Sequence, residues 1–176
     1  MRRAAGVLAA FVVAAAAVVG LLAFLSSRDS APVSRTVRGP GREFPDQGSA
    51  RLAPGRRPPR LYDSDPPTSG AHVPTAVAHD ATRLSDDQVL TALAAGNVVL
   101  FYGSPRPPAP LRSLADSVAG PFDPALAQAG QAVILAMRPG TRGIIGAAWR
   151  RLLQVASPTD PSLRAFVEAW LDVGRR

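Results

Sequence analysis

The chain has 176 residues, no cysteine, and 20 basic residues against 13 acidic ones, a formal charge of +7. Without cysteine there is no disulfide framework, no thiolate metal site and no cysteine nucleophile. Every basic residue is arginine, and Arg2, Arg3, Arg28, Arg35, Arg38, Arg42, Arg51, Arg56, Arg57 and Arg60 all precede residue 61, against only Asp29, Glu43 and Asp46. A nucleic-acid-binding protein concentrates such charge on its folded face, so nucleic acid is not the expected partner.

Residues 4–25 read AAGVLAAFVVAAAAVVGLLAFL. About 22 residues at ~1.5 Å rise reach roughly 33 Å, enough for a helix to cross a hydrocarbon core. The run is longer than the apolar region of a cleaved signal peptide, and Phe24-Leu25-Ser26-Ser27 lacks a small-x-small cleavage site. It is therefore expected to be a transmembrane signal-anchor. Arg2 and Arg3 favour a short cytoplasmic tail at residues 1–3, although Arg28, Arg35, Arg38 and Arg42 on the other flank oppose that orientation. The expected location is the cell membrane, with a single span and an extracytoplasmic C-terminal domain. Residues 26–60 alternate Arg, Pro, Gly and Ser without apolar periodicity and are expected to form a disordered linker. Its arginines could hold it against anionic lipid or the cell wall.

The stretch Leu61-Tyr62-Asp63-Ser64-Asp65-Pro66-Pro67-Thr68-Ser69-Gly70-Ala71-His72-Val73-Pro74 opens the domain expected over 61–173. Its prolines fix φ and exclude helix. Asp63, Ser64, Asp65, Thr68 and Ser69 can bond nearby backbone N–H groups, and Gly70 permits positive φ. An ordered, non-repetitive loop is predicted, presenting His72 at a defined place. It serves either as a structural entry loop or as part of a ligand or proton-transfer pair.

Ser85 with Gln88 three residues on reads as a capping box, followed by the apolar stripe Val89, Leu90, Leu93 and Ala94 and a terminating Gly96. Asn97 to Tyr102 is a predicted buried strand. Leu111, Leu114, Ala115 and Val118 give a short amphipathic helix ending at Gly120. Gln131 to Met137 is a second strand. After the turn Arg138-Pro139-Gly140-Thr141-Arg142-Gly143, Ile144 to Leu153 reads as a third, antiparallel to the second. Arg150-Arg151 reads as a solvated strand end. Asp160 caps a last helix beginning at Pro161, with Leu163, Phe166, Val167, Trp170 and Leu171 on its core face. The expected fold is α+β, a small sheet of about three or four strands packed with two or three helices. The last four elements follow the order found in thioredoxin-like folds, without a CxxC.

Tyr62 to Pro74, YDSDPPTSGAHVP, resembles the opening signature of a bacterial family, domain of unknown function 3105, which begins SDPPTSGPHxP. The resemblance covers most of 61–173, including Ala147-Ala148-Trp149-Arg150-Arg151-Leu152, which is similar to the family's AWGRL. In that family the helix before the first strand reads His-x-Leu-Glu-His-Gly. Here the matching residues are Thr91-Ala92-Leu93-Ala94-Ala95-Gly96. Histidines four apart share a helix face, so the family spacing, with a loop histidine, suggests a metal site. In this chain Thr91 is a poor ligand and Ala94 and Ala95 are none, which leaves His72. His79 and Asp80 are the candidates to compensate.

No Walker motif, GxGxxG, GxSxG or HExxH is present. No catalytic residue and no cofactor are expected. The leading expectation is a membrane-anchored envelope protein with a binding or structural role and a protein partner not specified by sequence. The alternative is a metal-binding or metal-dependent enzyme using His72 with His79 and Asp80.

Overall fold

A computed structural model describes residues 39–175. They form a five-stranded mixed sheet with helices on both faces. The elements are β1 (Arg42–Glu43), α1 (Asp86–Ala95), β2 (Val98–Tyr102), α2 (Ala109–Ala119), α3 (Pro124–Ala129), β3 (Val133–Met137), β4 (Ile144–Ala148), β5 (Arg151–Val155) and α4 (Pro161–Trp170). The strand order is β1-β5-β4-β2-β3, and only β2 and β3 run parallel. The parallel pair needs a crossover, which α2 and α3 supply.

β2, Val-Val-Leu-Phe-Tyr, is buried along its whole length because both faces of the sheet are covered. Val98, Leu100 and Tyr102 point into a core with Leu111 and Leu114 of α2 and Leu163, Phe166 and Trp170 of α4. Val99 and Phe101 point the other way, into a core with Val89, Leu90 and Leu93 of α1, Ala127 of α3, and Trp149. Period-two alternation thus divides one apolar strand between two cores.

α1 begins as predicted. Ser85 Oγ accepts from Gln88 N at 3.3 Å and Gln88 Oε1 accepts from Ser85 N at 3.0 Å. Gly96 ends it at φ 125°. Asp160 caps α4 by accepting from Ser162 N at 2.9 Å.

Four expectations change. The described residues have five strands and four helices, against the three or four strands and two or three helices expected. The single strand over 144–153 is two, because Arg150 adopts φ 62° and turns the chain between β4 and β5. β4 lies antiparallel to β2, not beside β3. The expectation of a disordered linker to residue 60 fails over 39–60, which belong to the same compact unit as the rest of the described residues. There β1 pairs with β5, Phe44 is buried, and Trp170 Nε1 donates to Pro40 O at 2.8 Å. This arm has no apolar periodicity because it is held mainly by backbone bonds to distant segments. The span expected at 4–25 and the linker up to residue 38 lie outside the described residues, and among the described residues no helix is long and apolar enough to cross a membrane.

Candidate functional site

The proline-rich stretch is a clamp whose residues Thr68, Ser69 and His72 face inward. Pro66, Pro67, Thr68, Ser69 and Gly70 are buried. Ser69 Oγ accepts from Gln47 N at 3.0 Å and donates to Pro45 O at 3.2 Å. Thr68 shares a hydroxyl bond with Ser64 at 3.1 Å, and its carbonyl accepts from Arg150 N at 3.0 Å. Gly70 N donates to Gly48 O, His72 N to Ala50 O, and Leu52 N to His72 O. On the other side, Asp87 accepts from Val73 N at 2.8 Å and Thr91 Oγ1 from Thr75 N at 3.0 Å. One loop therefore ties the N-terminal arm, the β4–β5 turn and α1 together. Its composition is what this requires, since buried backbone groups outside regular structure need partners.

His72 belongs to this clamp. It is 4 % exposed, and its Nδ1 lies 2.9 Å from Gly70 O. A carbonyl only accepts, so Nδ1 carries the hydrogen. Tyr62 lies over Gly70 and donates to Ala71 O at 3.0 Å. Its hydroxyl is pushed up to about 12, first by burial and then by Asp87 and Asp86.

The loop's open side is formed by exposed Asp63 and Asp65 and partly exposed Tyr62 and Ser64. Asp65 pairs with Arg138, which also lies over the Phe101 ring at 5.9 Å. Burial raises the Asp86 carboxyl; Arg138 offsets part of this, while Asp65 and Asp87 add to it. Asp65, Arg138, Thr141, Arg142, Ile145 and Gln154 border a polar cleft of about 390 Å³. The surface pair Asp65–Arg138 contributes little, ~0–1 kcal/mol, because the carboxylate is well solvated.

The set His72, His79 and Asp80 is not assembled. Asp80 pairs with Arg112 at 2.6 Å, His79 is exposed, and the His72 ring is turned to Gly70. Among the described residues no three His, Asp or Glu side chains stand so as to hold a metal ion. The helix positions Thr91 and Ala95 instead border a cavity of about 140 Å³ between α1, α3 and the segment after the loop. Ala94 is half-buried, packed against the second core. Gly96 is buried where a Cβ would lie 3.0 Å from Gly130 O.

The family model described as protein of unknown function (DUF3105) matches residues 59–174. The chain belongs to the DUF3105 family. No curated protein and no solved structure matches it.

Within this DUF3105 domain, three residues matter that sequence reasoning passed over. Asn97 is 1 % exposed; its Nδ2 donates to Ala92 O at 3.0 Å and Ala127 O at 2.7 Å, and its Oδ1 accepts from Ala132 N at 2.9 Å. It joins the ends of α1 and α3 to the start of β3. A polar residue leading an all-apolar strand was the available signal. Arg151, expected to be solvated, is 8 % exposed, pairs with Glu43 at 2.8 Å and lies over the Trp170 ring at 4.7 Å. Its arm partner could not be foreseen while the arm was read as a tether. Tyr102 is fully buried, and among the described residues its hydroxyl has no hydrogen-bond partner; burial and Asp80 push its ionisation up and Arg112 pulls it down.

Proposed function

We propose that this DUF3105 protein is a single-pass, membrane-tethered module of the cell envelope, extracytoplasmic, acting by binding or scaffolding without catalysis. The observation that supports it best is the inward use of the signature loop. Ser69, Thr68, Gly70 and the Nδ1 of His72 are committed to bonds within the fold, and Asp80 is committed to Arg112. Groups so engaged hold a surface in shape, whereas a nucleophile or base needs an unshared lone pair facing substrate. The loop leaves Asp63, Asp65 and the cleft beside Arg138 and Arg142 facing outward as the contact surface. The apolar run at 4–25 and the arginines before residue 61 support a membrane-proximal setting with anionic lipid or wall close by.

The test is fractionation with protease accessibility in intact spheroplasts, followed by photo-crosslinking from position 63. The expected outcome is a membrane-bound chain whose domain is digested from outside, with a discrete crosslinked product. A chain in the soluble fraction, or a domain protected from external protease, overturns the tethering; the absence of any discrete product from position 63 overturns the contact surface. Titration with zinc and copper tests the competing metal reading. Stoichiometric metal lost on both His72→Ala and His79→Ala would establish it.

A further inference from the structure

We infer that the cavity between α1 and α3 is a binding site for a small neutral organic molecule, with an apolar body of about benzene size and one oxygen at its outer end. The floor is Val77, Ala92, Ala127 and Ile134, all buried. Ala76, Ala95 and Gln128 form an exposed mouth, with Thr91 partly buried beside them. The volume is about 140 Å³. An enclosed apolar cavity of ~150 Å³ accepts benzene, and this space, open at its mouth, has a similar volume.

Two features separate this space from a packing defect. The first is that its walls are tied at a fixed spacing by hydrogen bonds. Asn97 binds the carbonyls of Ala92 and Ala127, one from each wall, and ties both to β3 through Ala132 N. Thr91 holds Thr75 N, which fixes the segment leading to Ala76 and Val77. Closing the cavity would break these buried bonds, so the space is preorganised, which is the condition for affinity without reordering. The second is the placement of polar groups. The Thr91 oxygen accepts from Thr75, which leaves its hydroxyl hydrogen able to donate. The Gln128 amide is exposed and makes no bond within the described residues. Both stand where the outer end of an occupant would lie. Among the described residues no ionic group borders the cavity, so a charged ligand would go unpaired there.

The experiment is a titration of the full chain in lipid nanodiscs with phenol and with benzene, following labelled alanine methyls by NMR. The expected result is saturable movement of the Ala76, Ala92, Ala95 and Ala127 methyls, with Ala148 on the other core unmoved. Ala95→Leu fills the mouth at an exposed position and should weaken phenol binding by ~10-fold or more, with the Ala148 methyl confirming an intact fold. Gln128→Ala should reduce the preference for phenol over benzene. Methyl shifts that stay linear to the highest phenol concentration, or affinity unchanged in both Ala95→Leu and Ala76→Leu, overturn the site. An unchanged phenol preference in Gln128→Ala overturns the assignment of the oxygen.

Discussion

The signature loop and the α1–α3 seam are neighbours built on opposite terms. The loop has no regular structure, yet it is buried and cross-tied to the arm, the β4–β5 turn and α1. The seam is made of two capped helices, yet it encloses open space bordered by four alanines. Regular hydrogen bonding within a helix fixes its backbone and says nothing about how well its side chains meet a neighbour. Irregular backbone cannot be buried unless every group finds a partner, so burial forces the loop to be tightly specified. The fold is rigid where it looks irregular and has room where it looks ordered.

Substitutions can break this contrast. The largest effect is expected at Gly70→Ala. Its φ is +138° and a Cβ would meet the Tyr62 ring at 2.7 Å, both at the centre of the clamp. A loss of about 3 kcal/mol or more in urea unfolding is expected from backbone strain and overlap together. A change within error would show that the loop yields and that the contrast is false.

Asn97→Ala comes next. It removes the side-chain bonds to the carbonyls of Ala92 and Ala127, which keep the backbone donors Asn97 N and Gly130 N, and it strands the N–H of Ala132. One buried N–H left unpaired costs ~1–3 kcal/mol and each lost bond about 1 kcal/mol, so the expected total is about 3 kcal/mol. A small loss would mean that the seam walls are not pinned, and the cavity would close in that variant.

Tyr62→Phe sharpens the comparison from the loop side. Removing the bond to Ala71 is expected to cost about 1 kcal/mol at neutral pH. The alkaline behaviour is more specific. The Tyr62 hydroxyl ionises near 10.0 when unfolded and near 12 when folded. Between those values the unfolded state binds fewer protons, so stability falls as pH rises through that window. Tyrosinate absorbance should show both tyrosines of the folded chain titrating above the ordinary value, since Tyr102 is raised as well. Tyr62→Phe should remove part of the alkaline loss of stability; an unchanged profile would mean that Tyr62 is freely solvated.

The smallest effect is expected at Ala95→Leu. The residue is exposed at the mouth of open space, so stability should stay within about 0.5 kcal/mol of the parent by thermal or urea unfolding. A loss well beyond that would show the seam to be as closely packed as the loop.

What the sequence disclosed follows the range of the forces involved. The Ser85–Gln88 capping box, the apolar run after Asn97 and the Asp160 cap are local signals, and each marks an element where the structure has one. Helix α3 was missed although Asp123 caps it, Pro124 starts it and Gly130 ends it in the left-handed region; at six residues it is too short to show a periodic stripe. The break at Arg150 was missed because nothing in Trp149-Arg150-Arg151 announces a positive φ, and the turn is held from outside by Thr68 O and Phe44 O. The arm at 39–60 was missed for the same reason on a larger scale: Gln47, Gly48, Ala50 and Leu52 are ordered by partners some 20 residues later in the chain. At the candidate site, the loop's turn chemistry was legible, but the inward direction of His72 and the pairing of Asp80 with Arg112 depend on packing that no local spacing encodes.

The position of Gly39 beneath the Trp170 ring has a mechanical meaning. Tension applied at Gly39 falls on the indole's bond to Pro40 and on the two-residue rung against Leu152 and Arg151, and so bears directly on Trp170 of the first core. Lifting residues 39–43 would uncover the edge of β5.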